Sequence, residues 1–338
     1  MKTINLGVIG LGRMGRIYCK HLARHLGGAR LAAVSSRTPA AADAVAQMVN
    51  NDLNIYPDYR DMMADPEIDG VIVATLTHTH HDIVIAAAEA GKAIFCEKPV
   101  ALTLEETDKI LAAVEKAGVT FQVAFMRRFD KGYAAAKQQI DSGAIGRPVM
   151  IQAMSRDPGC PDPAWADPAS SGGLIVDLAV HDIDVIRWLM GDEIQRVYAE
   201  GAVLACPDLA PVDDIDSAVI TVRFKNGALG YIEGARNCGY GYDIRCEIRG
   251  TEGTLQVGYL QDTPVVRLTQ QGGVSHDIVP WFEERFTPAY RAQIDHFVES
   301  LQQGVDPSVG AIDARNSLIA AVAATESHRT GMPVVVEA

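Results

Sequence analysis

The chain has 338 residues, too many for one ordinary core and comfortable for two domains. Hydrophobic residues make up 48% and charged residues 22%, the balance of a soluble globular protein, and no apolar run reaches the ~18 residues of a membrane span. A net charge of −13 repels nucleic acid and anionic membranes, so neither is an expected partner; a neutral small molecule is compatible with such a surface.

The first ten residues lack the long apolar core and cleavage site of a signal peptide, and a cytoplasmic location is the expectation. Apolar runs at 6–9, 31–34, 71–74 and 94–96 are continuous, as suits parallel strands buried on both faces. Helical patterns lie between them. One, at 83–90, is closed by Gly91. Another opens on Thr103 with Glu106 three residues on, a capping box, continues through Ile110, Leu111 and Val114, and ends at Gly118. The alternation predicts an α/β fold, a doubly wound parallel-sheet (Rossmann) domain over residues 1–125.

Residues 126–338 follow a different pattern. A long helix is predicted over 174–190, then strands at 197–204, 218–224, 228–233, 244–248, 254–257 and 265–268. Asn226-Gly227 and Gly272-Gly273 mark turns. Helices at 289–302 and 311–330 close the chain. This half reads as an α+β domain, an antiparallel sheet with helices on one face. Cys19, Cys96, Cys160, Cys206, Cys238 and Cys246 form no C-x-x-C pair, and are expected as reduced thiols without a disulfide framework or zinc site.

Gly10-Leu11-Gly12-Arg13-Met14-Gly15 follows the first strand and opens a helix, the context in which this glycine pattern binds a dinucleotide. Gly10 allows the tight turn, Gly12 the approach of pyrophosphate, and Gly15 the packing of helix on strand; the helix N-terminus favours the anion. An NAD site usually carries a carboxylate at the end of the second strand. Here that strand runs into Ser36 and Arg37, which suit a 2′-phosphate, so NADP is favoured over NAD. Beyond the strand at 71–74, Thr75, His78 and His81 are assigned to the cofactor edge. The histidine-rich segment 77–81 has no carboxylate or thiolate beside it and is expected to hold no metal.

Glu97-Lys98-Pro99 ends the strand at 94–96. Both Glu97 and Lys98 are placed at the cofactor, and proline stiffens the bend that aims Lys98 toward the ligand. The helix at 174–190 is almost wholly apolar, yet carries Asp177, His181 and Asp184 within roughly 60° of one another. Three polar groups on a buried stripe form either a satisfied core network or the wall of a site, with His181 accepting a proton and Asp177 orienting it.

Together, the Gly10–Gly15 loop, Glu97-Lys98-Pro99 and Asp177-x-x-x-His181 resemble the Gfo/Idh/MocA oxidoreductases over essentially the whole chain. Phe125-Met126-Arg127-Arg128-Phe129-Asp130, the stretch 170–188 (SSGGLIVDLAVHDIDVIRW) and Tyr240-Gly241-Tyr242-Asp243 are most similar to its inositol 2-dehydrogenase branch. The resemblance implies a large open sheet in the second domain, and a homo-oligomer, tetramer or dimer, packed through it. It implies a catalytic set of Lys98, Asp177 and His181. Arg127, Asp184 and Tyr240 would line a polyol pocket, with Asp157 near it. Ser36, where NAD-using members tend to carry aspartate, departs from the pattern.

The expected reaction is oxidation of a secondary hydroxyl, myo-inositol to its 2-ketone, by hydride transfer to nicotinamide. His181 would take the hydroxyl proton, Asp177 would bond the other imidazole nitrogen, and Lys98 would stabilise the alkoxide. Another inositol isomer or an aldose such as glucose or xylose is the alternative. A nucleotide-sensing regulator on the same fold is the remote one, and would be expected to lose Lys98 or His181.

Overall fold

The first half of the chain supplies six strands, and its apolar runs become buried ones. In the computed structural model, which describes residues 3–25, 27–49 and 53–337, these are β1 (Ile4–Ile9), β2 (Ala29–Ser35), β3 (Asn54–Tyr56), β4 (Gly70–Val73), β5 (Ala93–Cys96) and β6 (Phe121–Val123). Met1 and Ala338, the outer ends of the predicted domains, lie outside the described residues. The six strands form one parallel sheet in the order β3-β2-β1-β4-β5-β6. Every residue of β4 and β5 is buried. Helices α1 (Arg13–His25), α2 (Pro39–Met48), α3 (Tyr59–Ala64), α4 (His80–Glu89) and α5 (Leu104–Ala117) make the connections. The Thr103 hydroxyl caps α5 by accepting from the Glu106 amide, and Gly118 ends it at φ +64°. Strand order reverses between β1 and β4, the place where open sheets of this kind bind ligands at the carboxyl ends of their strands.

Contacts divide the chain into one unit of Met1–Phe125 with Tyr290–Arg315 and another of Met126–Ala289 with Asn316–Ala338. The segment from Tyr290 to Arg315, placed in the second domain by sequence, groups with the first unit. Long-range contacts explain this. Phe297 packs edge-on against Phe95 of β5 at 5.8 Å, Val123 donates to the Val309 carbonyl, and Gln122 donates to the Gln293 carbonyl at 2.8 Å.

The second unit holds α6 (Lys131–Asp141), β7 (Pro148–Arg156), the short α7 (Pro163–Ala166) and α8 (Pro168–Ser171), α9 (Val180–Met190), β8 (Ile194–Ala202), β9 (Ser217–Phe224), β10 (Leu229–Ala235), β11 (Asp243–Gly250), β12 (Thr254–Val257), β13 (Val266–Thr269) and β14 (Gly273–His276). Helix α10 (Phe282–Gln303) and helix α11 (Ala311–Thr330) are each divided between the units, and β15 (Val334–Val335) is the last strand. The main sheet runs β12-β11-β7-β10-β9-β8-β15. It is mixed, not purely antiparallel, because β10 pairs with β7 in parallel. Strand β7 escaped the sequence reading: Met150, Gln152, Met154 and Arg156 are half-buried between buried Ile151, Ala153 and Ser155, so no clear polar alternation marks it. The residues around 265–268 form a separate hairpin of β13 with β14. On β9, Ala218, Ile220, Val222 and Phe224 point inward, while Val219 stays 48% exposed on the other face.

One thiol expectation is overturned. Cys160 and Cys206 form a disulfide, with Cα atoms 5.6 Å apart and a sequence separation of 46. Local spacing cannot reveal such a pair, which folding alone brings within bonding reach. Cys19, Cys96, Cys238 and Cys246 are free thiols, and burial pushes Cys19 up to about 12, away from reactive thiolate. Beside the disulfide, Asp216 Oδ2 accepts the amides of Leu204, Ala205 and Cys206 at 2.8, 2.7 and 2.7 Å, and Oδ1 accepts the Ser217 hydroxyl.

Among the described residues no helix is long and apolar enough to cross a membrane.

Burial pushes the Asp216 carboxyl upward, but these four donors outweigh it and hold it below its usual value. A depressed carboxylate stabilises the fold above its unfolded value and loses that contribution as pH falls through its folded one. Asp216→Asn should therefore cost about 1–3 kcal/mol of stability at neutral pH, with the deficit narrowing as acid is approached. Denaturant titration of both proteins from pH 7 down to about pH 2, below the ordinary carboxylate range, measures it.

Candidate active site

The glycine loop has the geometry a dinucleotide requires. Gly10 has φ +89°, and a Cβ there would stand 2.7 Å from Thr75 Cγ2. A Cβ on Gly15 would lie 1.8 Å from the Gly10 carbonyl oxygen, so only glycine lets α1 pack here. A Cβ on Gly12 would meet nothing within 4 Å. That open side, with Arg13 and Met14 starting α1 behind it, leaves room for pyrophosphate at the helix N-terminus. The loop fits a bound dinucleotide.

Around the loop, Gly10 N donates to the Ser35 carbonyl at the end of β2. The next residue, Ser36, uses its hydroxyl to accept from the Thr38 amide at 3.1 Å, and Arg37 is exposed. Thr75 follows β4, and its hydroxyl accepts from Thr79 at 2.7 Å. The three histidines diverge. His78 is exposed, His81 contacts Asp82 at 2.8 Å, and His80 is 1% exposed. The His80 ring spans two carbonyl oxygens, Pro99 O at 2.9 Å and Thr75 O at 3.2 Å. Burial pushes it down to about 4, so it is neutral and donates one of these bonds.

Strand β5 delivers Glu97 and Lys98 at its carboxyl end. Glu97 is buried and accepts both the Tyr18 hydroxyl and the Lys98 amide, the latter at 3.1 Å. Burial pushes the Glu97 carboxyl up, against the Tyr18 hydrogen bond and the Lys98 charge. Gln293 donates to Tyr18 at 3.1 Å and completes the chain of bonds. Lys98 is half-buried, and its bond to Pro99 is cis.

In the second unit the predicted helix over 174–190 has two windings. Ile175–Ala179 is a π-turn and α9 follows it. A π-turn takes in an extra residue and is frequent at functional sites. The polar groups on this helix fall into two sets. Asp182 and Asp184 are fully buried and ion-paired. Arg127 donates to Asp182 Oδ1 at 2.5 Å, and Ser155 donates to Oδ2 at 2.5 Å. Arg128 grips Asp184 with two bonds, 2.9 and 2.5 Å. Asp177 and His181 are half-buried and belong to the second set. Near Asp177, Arg236 bonds Asp214 at 2.9 Å, and Asp214 in turn accepts the Leu174 amide at 2.9 Å. Burial raises the Asp214 carboxyl, against the pull of Arg236 and that amide.

Residues 4–125 match the family described as the oxidoreductase family, NAD-binding Rossmann fold, and residues 137–336 match its C-terminal alpha/beta domain. The chain belongs to the Gfo/Idh/MocA oxidoreductase family. Among this family's members, it is 41% identical over 98% of its length, and 96% of the relative's, to scyllo-inositol 2-dehydrogenase (NAD(+)) of Bacillus subtilis. It is 35% identical to myo-inositol 2-dehydrogenase of Thermotoga maritima, over 96% of each chain. The structure of scyllo-inositol dehydrogenase from Lactobacillus casei with bound NAD(H) and scyllo-inositol superposes at a TM-score of 0.94, with 32% identity over 99% of both chains.

In this Gfo/Idh/MocA chain the structure gathers Gly10, Gly12, Gly15, Thr75, Glu97 and Lys98 within one unit, with Arg127, Asp157, Asp177, His181, Asp184 and Tyr240 in the other. Arg127 and Asp184, which the resemblance puts on the pocket, are each 1% exposed and committed to Asp182 and Arg128. Asp157 lies just past β7, its amide on the Ala235 carbonyl and its carbonyl on the Cys238 amide. The Tyr240 hydroxyl donates to Asp243 at 2.6 Å and accepts from Arg156 at 2.7 Å, while Ser155, the neighbour of Arg156 on β7, bonds α9 from the opposite face. Sequence reasoning missed Asp182, Arg128, Ser155, Arg236 and Asp214. The adjacent Arg127-Arg128 and the spaced acids Asp182 and Asp184 were the signal for the two ion pairs. Arg236 and Asp214 had none, since each meets its partner only through the fold.

Glycine substitutions separate cofactor space from packing. Gly12→Ala should leave thermal stability unchanged and weaken cofactor binding about tenfold or more, because the methyl occupies pyrophosphate space. Gly15→Ala should destabilise by several kcal/mol, because its methyl meets backbone. Thermal unfolding together with cofactor titration distinguishes the two.

Proposed function

We propose that this chain oxidises a secondary hydroxyl of an inositol, myo-inositol to its 2-ketone in the first place and scyllo-inositol in the second. The observation that carries the reading is the half-buried pair Asp177 and His181 on a helix whose two other acids, Asp182 and Asp184, are already ion-paired. The names of the relatives, inositol dehydrogenases over nearly the full length, support it.

Gly10, Gly12 and Gly15, with the first amides of α1, would hold a nicotinamide dinucleotide. When bound, that group accepts the hydride from the carbinol carbon. His181 then takes the hydroxyl proton as general base. Asp177 accepts a hydrogen bond from the other ring nitrogen and favours the imidazolium that forms. Lys98 donates to the same oxygen and stabilises its developing charge. Asp157 and Tyr240 would orient the ring hydroxyls, while Arg127 and Asp184 support the site from beneath through their ion pairs.

The sequence favours NADP, but relatives named for NAD(+) and NAD(H) move the cofactor reading to NAD, with NADP also admitted, since Ser36 and Arg37 offer no carboxylate to repel a 2′-phosphate. Ser36→Asp should then turn the enzyme against NADP by about tenfold or more in kcat/KM, as a carboxylate repels that phosphate. An unchanged cofactor ratio would remove this loop from the choice. A cytoplasmic homo-oligomer, tetramer or dimer, packed through the sheet face that exposes Val219 and Leu229, belongs to the same proposal.

The test is a panel of myo-, scyllo- and D-chiro-inositol, glucose and xylose with NAD and NADP, followed at the nicotinamide absorbance. Turnover of aldoses in preference to every inositol would overturn the substrate. Oxidation should fail on the acid side, where a protonated imidazole can no longer accept the hydroxyl proton. His181→Ala should lose about 10²-fold or more in kcat and the acid limb with it, while cofactor affinity is retained.

A further inference from the structure

The ion pairs of α9 account for Arg127 and Arg128, but a third buried guanidinium has a different setting. Arg236 follows β10 and is 3% exposed. Its Nη1 donates to Asp214 Oδ2 at 2.9 Å. Its Nη2 is buried, makes no hydrogen bond, and faces Asp177 Oδ2 at 3.9 Å. The guanidinium is held from several sides. The Trp165 ring lies 5.7 Å from its carbon, and the Arg236 amide donates to the Asp216 carbonyl at 2.8 Å. The anchor is equally fixed, since Asp214 Oδ1 takes the Leu174 amide just ahead of the π-turn. A Cβ on Gly173 would stand 2.7 Å from that oxygen, so the chain closes on the anchor without room for a side chain.

One guanidinium thus spans two carboxylates, one of them partly open to solvent. A purely structural pair would use both arms of the fork on Asp214, the bidentate arrangement that Arg128 makes with Asp184. Arg236 instead turns one arm toward Asp177. Neighbouring charges are directed elsewhere: Glu233 of β10 is bound by Arg156, and Asp182 and Asp184 by Arg127 and Arg128. Asp214, Arg236 and Asp177 together carry one net negative charge, which an imidazolium at His181 brings to zero.

We propose that Arg236 is a positioning residue for Asp177, anchored on Asp214, and that it fixes the carboxylate on which His181 relies while it accepts the substrate proton. This inference rests on the reading of Asp177 and His181 given above.

Steady-state kinetics with myo-inositol and NAD test it in Arg236→Lys, Arg236→Met and the double variant Asp214→Asn/Arg236→Met, which leaves no unpaired charge at the anchor. The folded Met variants should keep cofactor affinity and the KM for inositol within about twofold and lose about tenfold or more in kcat, the pattern of an interaction made in the transition state. Arg236→Lys, which keeps the charge, should recover most of that loss. A kcat within twofold of wild type in a folded Met variant overturns the proposal. So does a fall in kcat matched by a rise in KM without rescue by Lys, or failure of both Met variants to fold beside a Lys variant of wild-type kcat. Asp177→Asn and His181→Ala keep the two levels apart. Full turnover in those removes the site itself, whereas their loss beside unchanged Met variants removes only Arg236.

Discussion

Helix α9 carries Asp182 and Asp184 into an interior where an isolated carboxylate would be prohibitive. The segment after β6 answers with Arg127 and Arg128, which supply one guanidinium to each acid. Removing one partner of a buried pair costs about 3–5 kcal/mol, against 0–1 for a pair at the surface, so these contacts fix the helix in one rotation about its axis. Arg187, bound to Glu193 through two bonds and to Ser317 at 2.9 Å, fixes its far end. With the rotation set, the side chains that remain toward the accessible side are Asp177 and His181.

The first unit solves a related problem with backbone. Its inner strands β4 and β5 are buried throughout, and three glycines shape the approach at the carboxyl end of the sheet in different ways. Steric closure decides Gly10 and Gly15, while open space decides Gly12. Glu97 is held by Tyr18 and by the amide of Lys98, which links the direction of the lysine to a network in the core.

Much of this was legible in the sequence because local chemistry dictates it. Continuous apolar runs gave parallel strands, Thr103 with Glu106 gave the start of α5, and the glycine loop gave the cofactor end. The unread features all depend on partners distant in sequence. Strand β7 has half-buried side chains on its outer face and pairs in parallel with a strand far along the chain, Met150 lying opposite Leu229. The Cys160–Cys206 bond and the contact of Arg236 with Asp214 join segments that no periodicity connects. The stripe of Asp177, His181 and Asp184 was visible, but helical spacing alone could not show that Arg128 binds Asp184 while Asp177 and His181 stay half-buried.

The first unit is built from two stretches of chain, and this affects its synthesis. Phe95 of β5 is covered by Phe297, and β6 is met by Val309. A ribosome that has made residues up to Phe125 has released every strand of the parallel sheet but neither of those partners. At about 5–20 residues per second, the emerging sheet waits many seconds with part of its apolar face uncovered. Domains usually finish folding in the order in which they are translated. Here the domain begun first can be completed only after nearly all of the other has left the ribosome.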